Sequence, residues 1–313
     1  MTGFKILITD GLDESGQAVL RETCRVDDRN EIEADELGTI LPEYDAMVVR
    51  GRTKVTAAVI EAGAKLKVIG RAGVGVDNID LQAAKRQGVT VVNAPDSTTV
   101  AVAELTFGLL LALARDIPRA DAGMKAGQWL KRDFEGVELS GKTLGIIGIG
   151  RIGQDLGRRA AAFGMNLVAY DPFLDEAAIK GRGAEPVAIQ DLFAWSDFIS
   201  LHLPRNVQTR DMIGRQAISE MKAGVRIVCA ARGGIIDEAA LLEALNDGRV
   251  AGAALDVFAT EPPGATELVR HPRVIATPHI GAQTREAQIR AAQDIAAEVL
   301  AALQGRALRW RVS

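Results

Sequence analysis

Cysteine is almost missing from this chain. Among 313 residues only Cys24 and Cys229 occur, with no C-x-x-C pair and no cluster of cysteine with histidine. That pattern excludes a disulfide framework, predicts no metal site, and fits a reducing cytoplasm. Long hydrophobic runs are lacking too. The most apolar segment, Val100 to Ala114, is too short to span a bilayer and carries Glu104, so it reads as a buried helix and no membrane partner is expected. The N-terminus shows no basic region followed by an apolar stretch, so no signal peptide is expected. Nor is there a surplus of positive charge. The 37 basic and 41 acidic side chains leave a net charge of −4, which argues against nucleic acid as a partner and makes any anion site a local feature.

What is present is core material. Hydrophobic residues make up 48% of the chain and charged residues 25%, ordinary values for a globular protein. The length exceeds what one hydrophobic core usually serves, so two domains are expected. Short β-branched runs alternate with helical patterns: Lys5–Thr9, Ser15–Glu22, Ala46–Val49, Thr56–Ala62, Val68–Gly70, Leu81–Gln87 and Thr90–Asn93. This is a βαβ rhythm, which implies an α/β fold with a parallel sheet covered on both faces. One long helix over Thr99–Arg115, with Ser97, Thr98 and Thr99 as candidate N-caps, then breaks the rhythm and suggests a domain crossing. A second series follows, with strands at Thr143–Ile147, Asn166–Tyr170, Phe198–Leu201, Arg226–Cys229, Gly252–Asp256 and Val274–Ala276. Its helices are Ile152–Phe163 and Glu238–Asn246, and Arg285–Leu303 closes the chain.

The first chemical signal is G-x-G-x-x-G at Gly148, Gly150 and Gly153, directly after a strand and directly before a helix. Gly148 permits a tight turn, Gly150 lets the backbone approach a pyrophosphate, and Gly153 lets helix and strand pack closely. Asp171, about 20 residues on at the end of the next strand, can accept hydrogen bonds from adenosine ribose hydroxyls and would repel a 2′-phosphate, so the expected cofactor is NAD. A second cluster, Gly70-Arg-Ala-Gly73-Val-Gly75, has a different spacing. It reads as a tight turn, with a small-anion nest and a plain loop both open.

Reduction of a carbonyl by hydride needs a proton donor and a cation to hold the substrate. Of the three histidines, His202 reads as a loop residue beside the cofactor and His271 as a surface turn. His279, in Pro278-His279-Ile-Gly281, suits a presented acid–base group. Glu261 is its candidate partner, because a nearby carboxylate fixes an imidazole tautomer and favours protonation. Arg232 leaves an apolar strand between small residues, where a guanidinium could hold a carboxylate through two parallel hydrogen bonds.

Together, Gly148-Ile-Gly150-Arg-Ile-Gly153, Tyr170-Asp171-Pro172, Ala231-Arg232-Gly233-Gly234, Leu255-Asp256-Val-Phe258 with Glu261-Pro262, and Pro278-His279-Ile-Gly281-Ala282 resemble the D-2-hydroxyacid dehydrogenase family along essentially the whole chain. The resemblance implies two Rossmann-like, doubly wound parallel-sheet domains. Residues 1–98 and 285–313 would form the substrate domain and 99–284 the NAD-binding domain. It implies His279 as acid–base, Glu261 as its partner and Arg232 as the substrate clamp. Arg151 and Ile152 would lie at the pyrophosphate, Leu203, Ala230, Asp256, Gly281 and Ala282 along the nicotinamide half, and Val74 and Ala231 would also touch the cofactor. The backbone of Val74 and Gly75 would hold the substrate carboxylate, which favours the anion nest.

Within the family, Arg50-Gly-Arg52-Thr-Lys54 followed by Gly70-Arg-Ala-Gly-Val-Gly75 is most similar to the phosphoglycerate dehydrogenase branch. That similarity implies Arg50, Arg52, Lys131 and Arg132 as contacts to a substrate phosphate, the last two from the mate in a homodimer. Two places depart from the branch: Asp96-Ser97-Thr98 follows the Asn93-Ala-Pro95 turn where Gly-Asn is usual, and Cys229 stands where asparagine is common. The chain stops at Ser313, so feedback through an appended regulatory domain is not expected. A glyoxylate/hydroxypyruvate reductase and a catalytically silent NAD-sensing protein are the alternatives.

Overall fold

The computed structural model describes residues 3–313. In chain order the first elements are β1 (Lys5–Ile8), α1 (Glu14–Arg21), β2 (Arg25–Asp28), α2 (Ala34–Ile40), β3 (Ala46–Val49), α3 (Ala57–Ala62), β4 (Val68–Arg71), α4 (Leu81–Arg86) and β5 (Thr90–Asn93). Then come α5 (Thr99–Arg115), α6 (Ile117–Lys125), β6 (Thr143–Ile147), α7 (Arg151–Ala162), β7 (Asn166–Tyr170), α8 (Glu176–Gly181), β8 (Glu185–Pro186), α9 (Ile189–Trp195) and β9 (Phe198–Leu201). The last are α10 (Arg215–Glu220), β10 (Val225–Cys229), α11 (Glu238–Asn246), β11 (Val250–Leu255), α12 (Glu267–Arg270), β12 (Val274–Ala276) and α13 (Arg285–Leu303).

Two compact units result. One runs to Thr99 and resumes at Ala282; the other is Val100–Gly281. The first holds a five-stranded parallel sheet in the order β2-β1-β3-β4-β5. The second holds seven parallel strands in the order β12-β11-β10-β9-β6-β7-β8. Both orders reverse direction once, beside β1 in the first unit and beside β6 in the second, as doubly wound sheets do.

In the first unit, Leu7, Met47, Ile69 and Val91 face the core beneath α2 to α4, while Ile6, Val48 and Val68 face α1 and α13. Side chains therefore alternate between two buried faces, which is why these strands read as continuous apolar runs. The terminal helix α13 returns to this unit. A Cβ on Gly16 would lie 2.5 Å from the carbonyl oxygen of Ala292, and one on Gly70 would lie 2.5 Å from Val299, so α13 lies on α1 and β4 at glycine distance. Ile295 and Val299 are fully buried there, each contributing roughly 1.5–3 kcal/mol by removal from water.

In the second unit, α5 places Ala103, Phe107 and Leu110 against Leu144, Ile146, Phe198 and Val228 of the sheet, so the apolar helix is buried within its own unit. Of its three candidate N-caps, Ser97 donates its hydroxyl to the Ala94 carbonyl, and the Thr99 hydroxyl is buried without a partner. Neither caps α5. Among the described residues no helix is long and apolar enough to cross a membrane.

Candidate active site

In the second unit, the loops that follow β6, β9, β10, β11 and β12 leave neighbouring parallel strands, so they share the carboxyl edge of one sheet. The sequence reverses its strand order between β6 and β9, and the crevice opened there is where doubly wound sheets take ligands.

Gly148 opens the β6 loop with φ 90°, a conformation that side chains rarely adopt. A Cβ there would meet the His202 backbone and Leu203 at 2.9 Å. Leu203 itself is buried beneath the turn. Gly153 packs its helix onto the turn, since a Cβ would lie 2.4 Å from the Gly148 carbonyl oxygen. At Gly150, by contrast, a Cβ would meet nothing within 4 Å. Gly150 is the N-cap of α7 and no side chain caps the helix, so Arg151 and Ile152 begin a helix whose first N–H groups and positive dipole end face open space. Such a cradle fits a pyrophosphate.

Asp171, after β7, holds this turn as well as facing it. Its Oδ2 accepts from the Ile149 N–H at 3.0 Å and its Oδ1 from the Phe173 N–H at 2.9 Å. Each oxygen keeps a further lone pair for a ribose hydroxyl. The residues present therefore fit a dinucleotide without a 2′-phosphate.

His279 Nδ1 stands 2.7 Å from Glu261 Oε2, and the other oxygen, Oε1, accepts from the Phe258 N–H at 3.1 Å. Partial burial raises the Glu261 pKa, but hydrogen bonds from His279 and Phe258, and the charges of His279 and Arg232, outweigh it and hold the carboxyl below its ordinary range. An ionised carboxylate accepts only, so Nδ1 is the donor in this contact, and in the neutral tautomer that the contact selects Nε2 keeps its lone pair. The His279 side chain is 51% exposed, which leaves that nitrogen open to a reactant.

His279 has φ 52°, a left-handed conformation uncommon outside glycine and stabilised by its surroundings. Those surroundings are Asp256, 1% exposed. Its Oδ1 accepts from the Thr277 hydroxyl at 2.6 Å and the Ile280 N–H at 2.8 Å, and its Oδ2 from the Gly281 N–H at 2.8 Å. Expected along the nicotinamide half, Asp256 is seen to brace both sides of the His279 turn.

Arg232 lies half-buried after β10, with Nη1 on the Ala231 carbonyl at 2.7 Å and its charge felt at Glu261. Two contacts bring its loop onto the Glu261 loop. A Cβ on Gly233 would overlap the Phe258 carbonyl oxygen at 1.7 Å, and the Glu238 carboxylate accepts from the Ala259 N–H at 2.6 Å. Sequence reasoning missed Glu238; a carboxylate in the first turn of α11 signals a helix start and nothing more. Cys229 is buried, its thiol pushed up to about 11 by burial, with Sγ directed at the Arg232 carbonyl at 3.8 Å. Ala230 and Ala231 line the same strand end, Ala230 buried.

The other histidines separate cleanly from this trio. His202 shares a 2.8 Å hydrogen bond between Nε2 and the Ser200 hydroxyl, while Nδ1 is buried without a partner. Burial lowers its pKa to about 4, so it is neutral at physiological pH. His271 accepts from the Arg273 N–H in a turn. Lys131 and Arg132 sit on an exposed 3-10 turn, Lys131–Asp133.

In the first unit, Asn93 donates to the Val74 carbonyl at 2.7 Å and the Ala94 N–H to the Gly73 carbonyl at 2.9 Å, which fixes the Gly73–Gly75 turn from its carbonyl side. Arg71, absent from the sequence expectations, folds over it: a Cβ on Gly73 would overlap Arg71 Nη1. An arginine among glycines carries no local signal of a role apart from the turn. The two arginines after β3 diverge. Arg52 donates to the carbonyls of Thr9 at 2.7 Å and Ile32 at 3.1 Å and pairs with Asp10 at 3.4 Å. Arg50 is held through its backbone, its N–H donating to Asp10 at 2.8 Å and its carbonyl accepting from Asn78 Nδ2 at 3.0 Å, and burial lowers the pKa of its guanidinium.

Residues 107–281 match the model of the D-isomer specific 2-hydroxyacid dehydrogenase family, NAD binding domain. The D-3-phosphoglycerate dehydrogenase of Methanocaldococcus jannaschii is 50% identical over 302 residues, covering 96% of this chain and 58% of that protein. The chain thus spans little more than half the length of such relatives. A glyoxylate reductase from Paecilomyes thermophila is similar in structure with TM-score 0.90 at 30% identity, covering 100% of this chain and 99% of its own. A D-lactate dehydrogenase from Aquifex aeolicus, complexed with NAD and lactic acid, aligns with TM-score 0.85 at 30% identity over 96% of each chain. The turn at Gly148–Gly153, the Asp171 carboxylate and the matched residues agree: this chain belongs to the D-isomer specific 2-hydroxyacid dehydrogenase family, and residues 107–281 are its NAD binding domain.

Proposed function

We propose that this chain is an NAD-dependent dehydrogenase that interconverts D-3-phosphoglycerate and 3-phosphohydroxypyruvate, the oxidation that leads toward serine. The observation that carries the chemistry is the His279–Glu261 pair at 2.7 Å, with Arg232 close enough to act on the same carboxylate. The likeness to phosphoglycerate dehydrogenases over 96% of the chain supports the substrate.

Bound NAD supplies the acceptor for a hydride leaving C2. Arg232 holds the substrate carboxylate and hydroxyl oxygen, and His279 Nε2 removes the hydroxyl proton. Glu261 then stabilises the imidazolium through the Nδ1 hydrogen bond, and in the reverse direction that imidazolium returns the proton to the oxygen. In the same proposal the N–H groups of Val74 and Gly75 bind the substrate carboxylate and Arg50 binds its phosphate. Lys131 and Arg132 do so from a second copy. A homodimer is supported by Ile117, Met124 and Trp129, which are 52%, 56% and 77% exposed on one stretch beside these two cations. Two free thiols fit a cytoplasmic protein.

The likeness to a glyoxylate reductase favours a second reading, reduction of glyoxylate or hydroxypyruvate. NADH consumption with 3-phosphohydroxypyruvate, hydroxypyruvate and glyoxylate decides between them. The proposal expects the phosphorylated acid to have the highest kcat/KM; a preference for glyoxylate, or no turnover of any, overturns it.

A further inference from the structure

The glycine-rich turn is gripped at one residue, Ile149, from two sides, and one of the two grips comes from a residue outside the motif. Ile149 donates its N–H to Asp171 Oδ2 at 3.0 Å, and its carbonyl accepts from Arg182 Nη1 at 2.6 Å. Arg182 is the C-cap of α8, where its own N–H bonds back to the carbonyls of Ile179 and Lys180. The guanidinium therefore projects from an anchored helix end.

A trans peptide is planar, with its N–H and C=O pointing in opposite directions. Two consecutive peptides are oriented here. In the first, the Ile149 N–H points to Asp171, and correspondingly the Gly148 carbonyl points to Gly153, whose Cβ it would touch at 2.4 Å. In the second, the Ile149 carbonyl points to Arg182, so the Gly150 N–H points the other way, toward the side where a Cβ on Gly150 would meet nothing. That N–H belongs to the N-cap of α7 and faces the phosphate cradle.

We propose that Arg182 is a positioning residue for NAD: by holding the Ile149 carbonyl it presents the Gly150 N–H to the cofactor pyrophosphate before binding. A charge-assisted hydrogen bond is stronger than a neutral one and sets direction as well as distance. Without it the peptide must be ordered when the cofactor arrives, and that ordering opposes binding. Arg182 acts through the backbone and does not touch the pyrophosphate. The inference rests on the NAD-binding reading of this domain but not on the identity of the hydroxy acid.

The test is calorimetric titration of the full chain with NADH, ADP-ribose and adenosine, alongside thermal melts. Arg182→Ala should weaken NADH and ADP-ribose about tenfold, the loss expected of a hydrogen bond from a charged donor, and leave adenosine, which carries no pyrophosphate, unchanged. Arg182→Lys, which can still donate to the Ile149 carbonyl, should recover most of the loss. Unchanged NADH affinity in Arg182→Ala, or an equal loss for adenosine, overturns the proposal. If the unsubstituted chain binds no NADH, the cofactor reading falls and the proposal with it.

Discussion

His279 and Glu261, 18 positions apart in the chain, are joined by a 2.7 Å contact between Nδ1 and Oε2. Because Glu261 is held ionised, the contact selects which imidazole nitrogen bears the proton and which is left for chemistry. His279→Ala should lower kcat by about 10²- to 10⁴-fold, the usual contribution of a positioned acid–base group. The NADH dissociation constant should stay near that of the parent. Steady-state kinetics beside NADH titration checks this, and parallel losses in both would remove His279 from the chemistry.

Asp171 has two duties that one substitution separates. Its carboxylate accepts from the Ile149 and Phe173 N–H groups and carries the charge that would repel a 2′-phosphate. Asp171→Ala should weaken NADH through the loosened turn, while the ratio of NADH to NADPH affinity falls about tenfold or more as the repulsion goes. Paired titrations with the two cofactors measure the ratio. An unaltered ratio would take the ribose contact away from Asp171.

His202 makes stability depend on acid. Its pKa is about 6.5 in the unfolded chain and about 4 in the fold, where burial disfavours the charged form. Between those values the unfolded chain binds the extra proton, so stability is complete above pH 6.5 and declines as pH falls toward 4. His202→Gln should lose about 2–3 kcal/mol less than the parent across that window. Urea unfolding at a series of pH values gives the comparison, and identical slopes would show that another group is responsible.

Arg50 and Arg52 should fail differently. Arg52 is engaged by Thr9, Ile32 and Asp10, so Arg52→Ala should cost stability by about 1–3 kcal/mol through the carbonyls left behind. Arg50 makes its contact through the backbone. Arg50→Ala should leave the melting temperature nearly unchanged and raise KM for the phosphorylated acid several-fold more than for hydroxypyruvate. A matched rise for both acids would deny Arg50 the phosphate.

Legibility in the sequence followed the length and regularity of each signal. β3, β5, β6, β7, β9, α5, α11, β12 and α13 have the bounds that apolar periodicity predicts. The polar edge strand β2 and the short helices α2, α6, α8, α9, α10 and α12 are not predicted by the sequence pattern. β2, of sequence RVDD, becomes a strand through its pairing with β1, a contact that local composition does not encode. Arg182 carries no sequence signal for the same reason: it lies at the end of a short helix, and its bond to the Ile149 carbonyl spans 33 positions.

By itself the sequence determined the parallel α/β class, the glycine turn with its acidic partner, and which arginine, glutamate and histidine to suspect. Those are properties of neighbours along a chain, where side-chain size, period and turn chemistry are written locally. The tertiary structure alone decided that the loops after β6, β10, β11 and β12 share one sheet edge, that Asp256 braces the His279 turn, and that Arg52 is tied down by its guanidinium while Arg50 is held by its backbone. Strand order and hydrogen-bond direction arise from packing between segments far apart in the chain, and the sum of many weak contacts sets them.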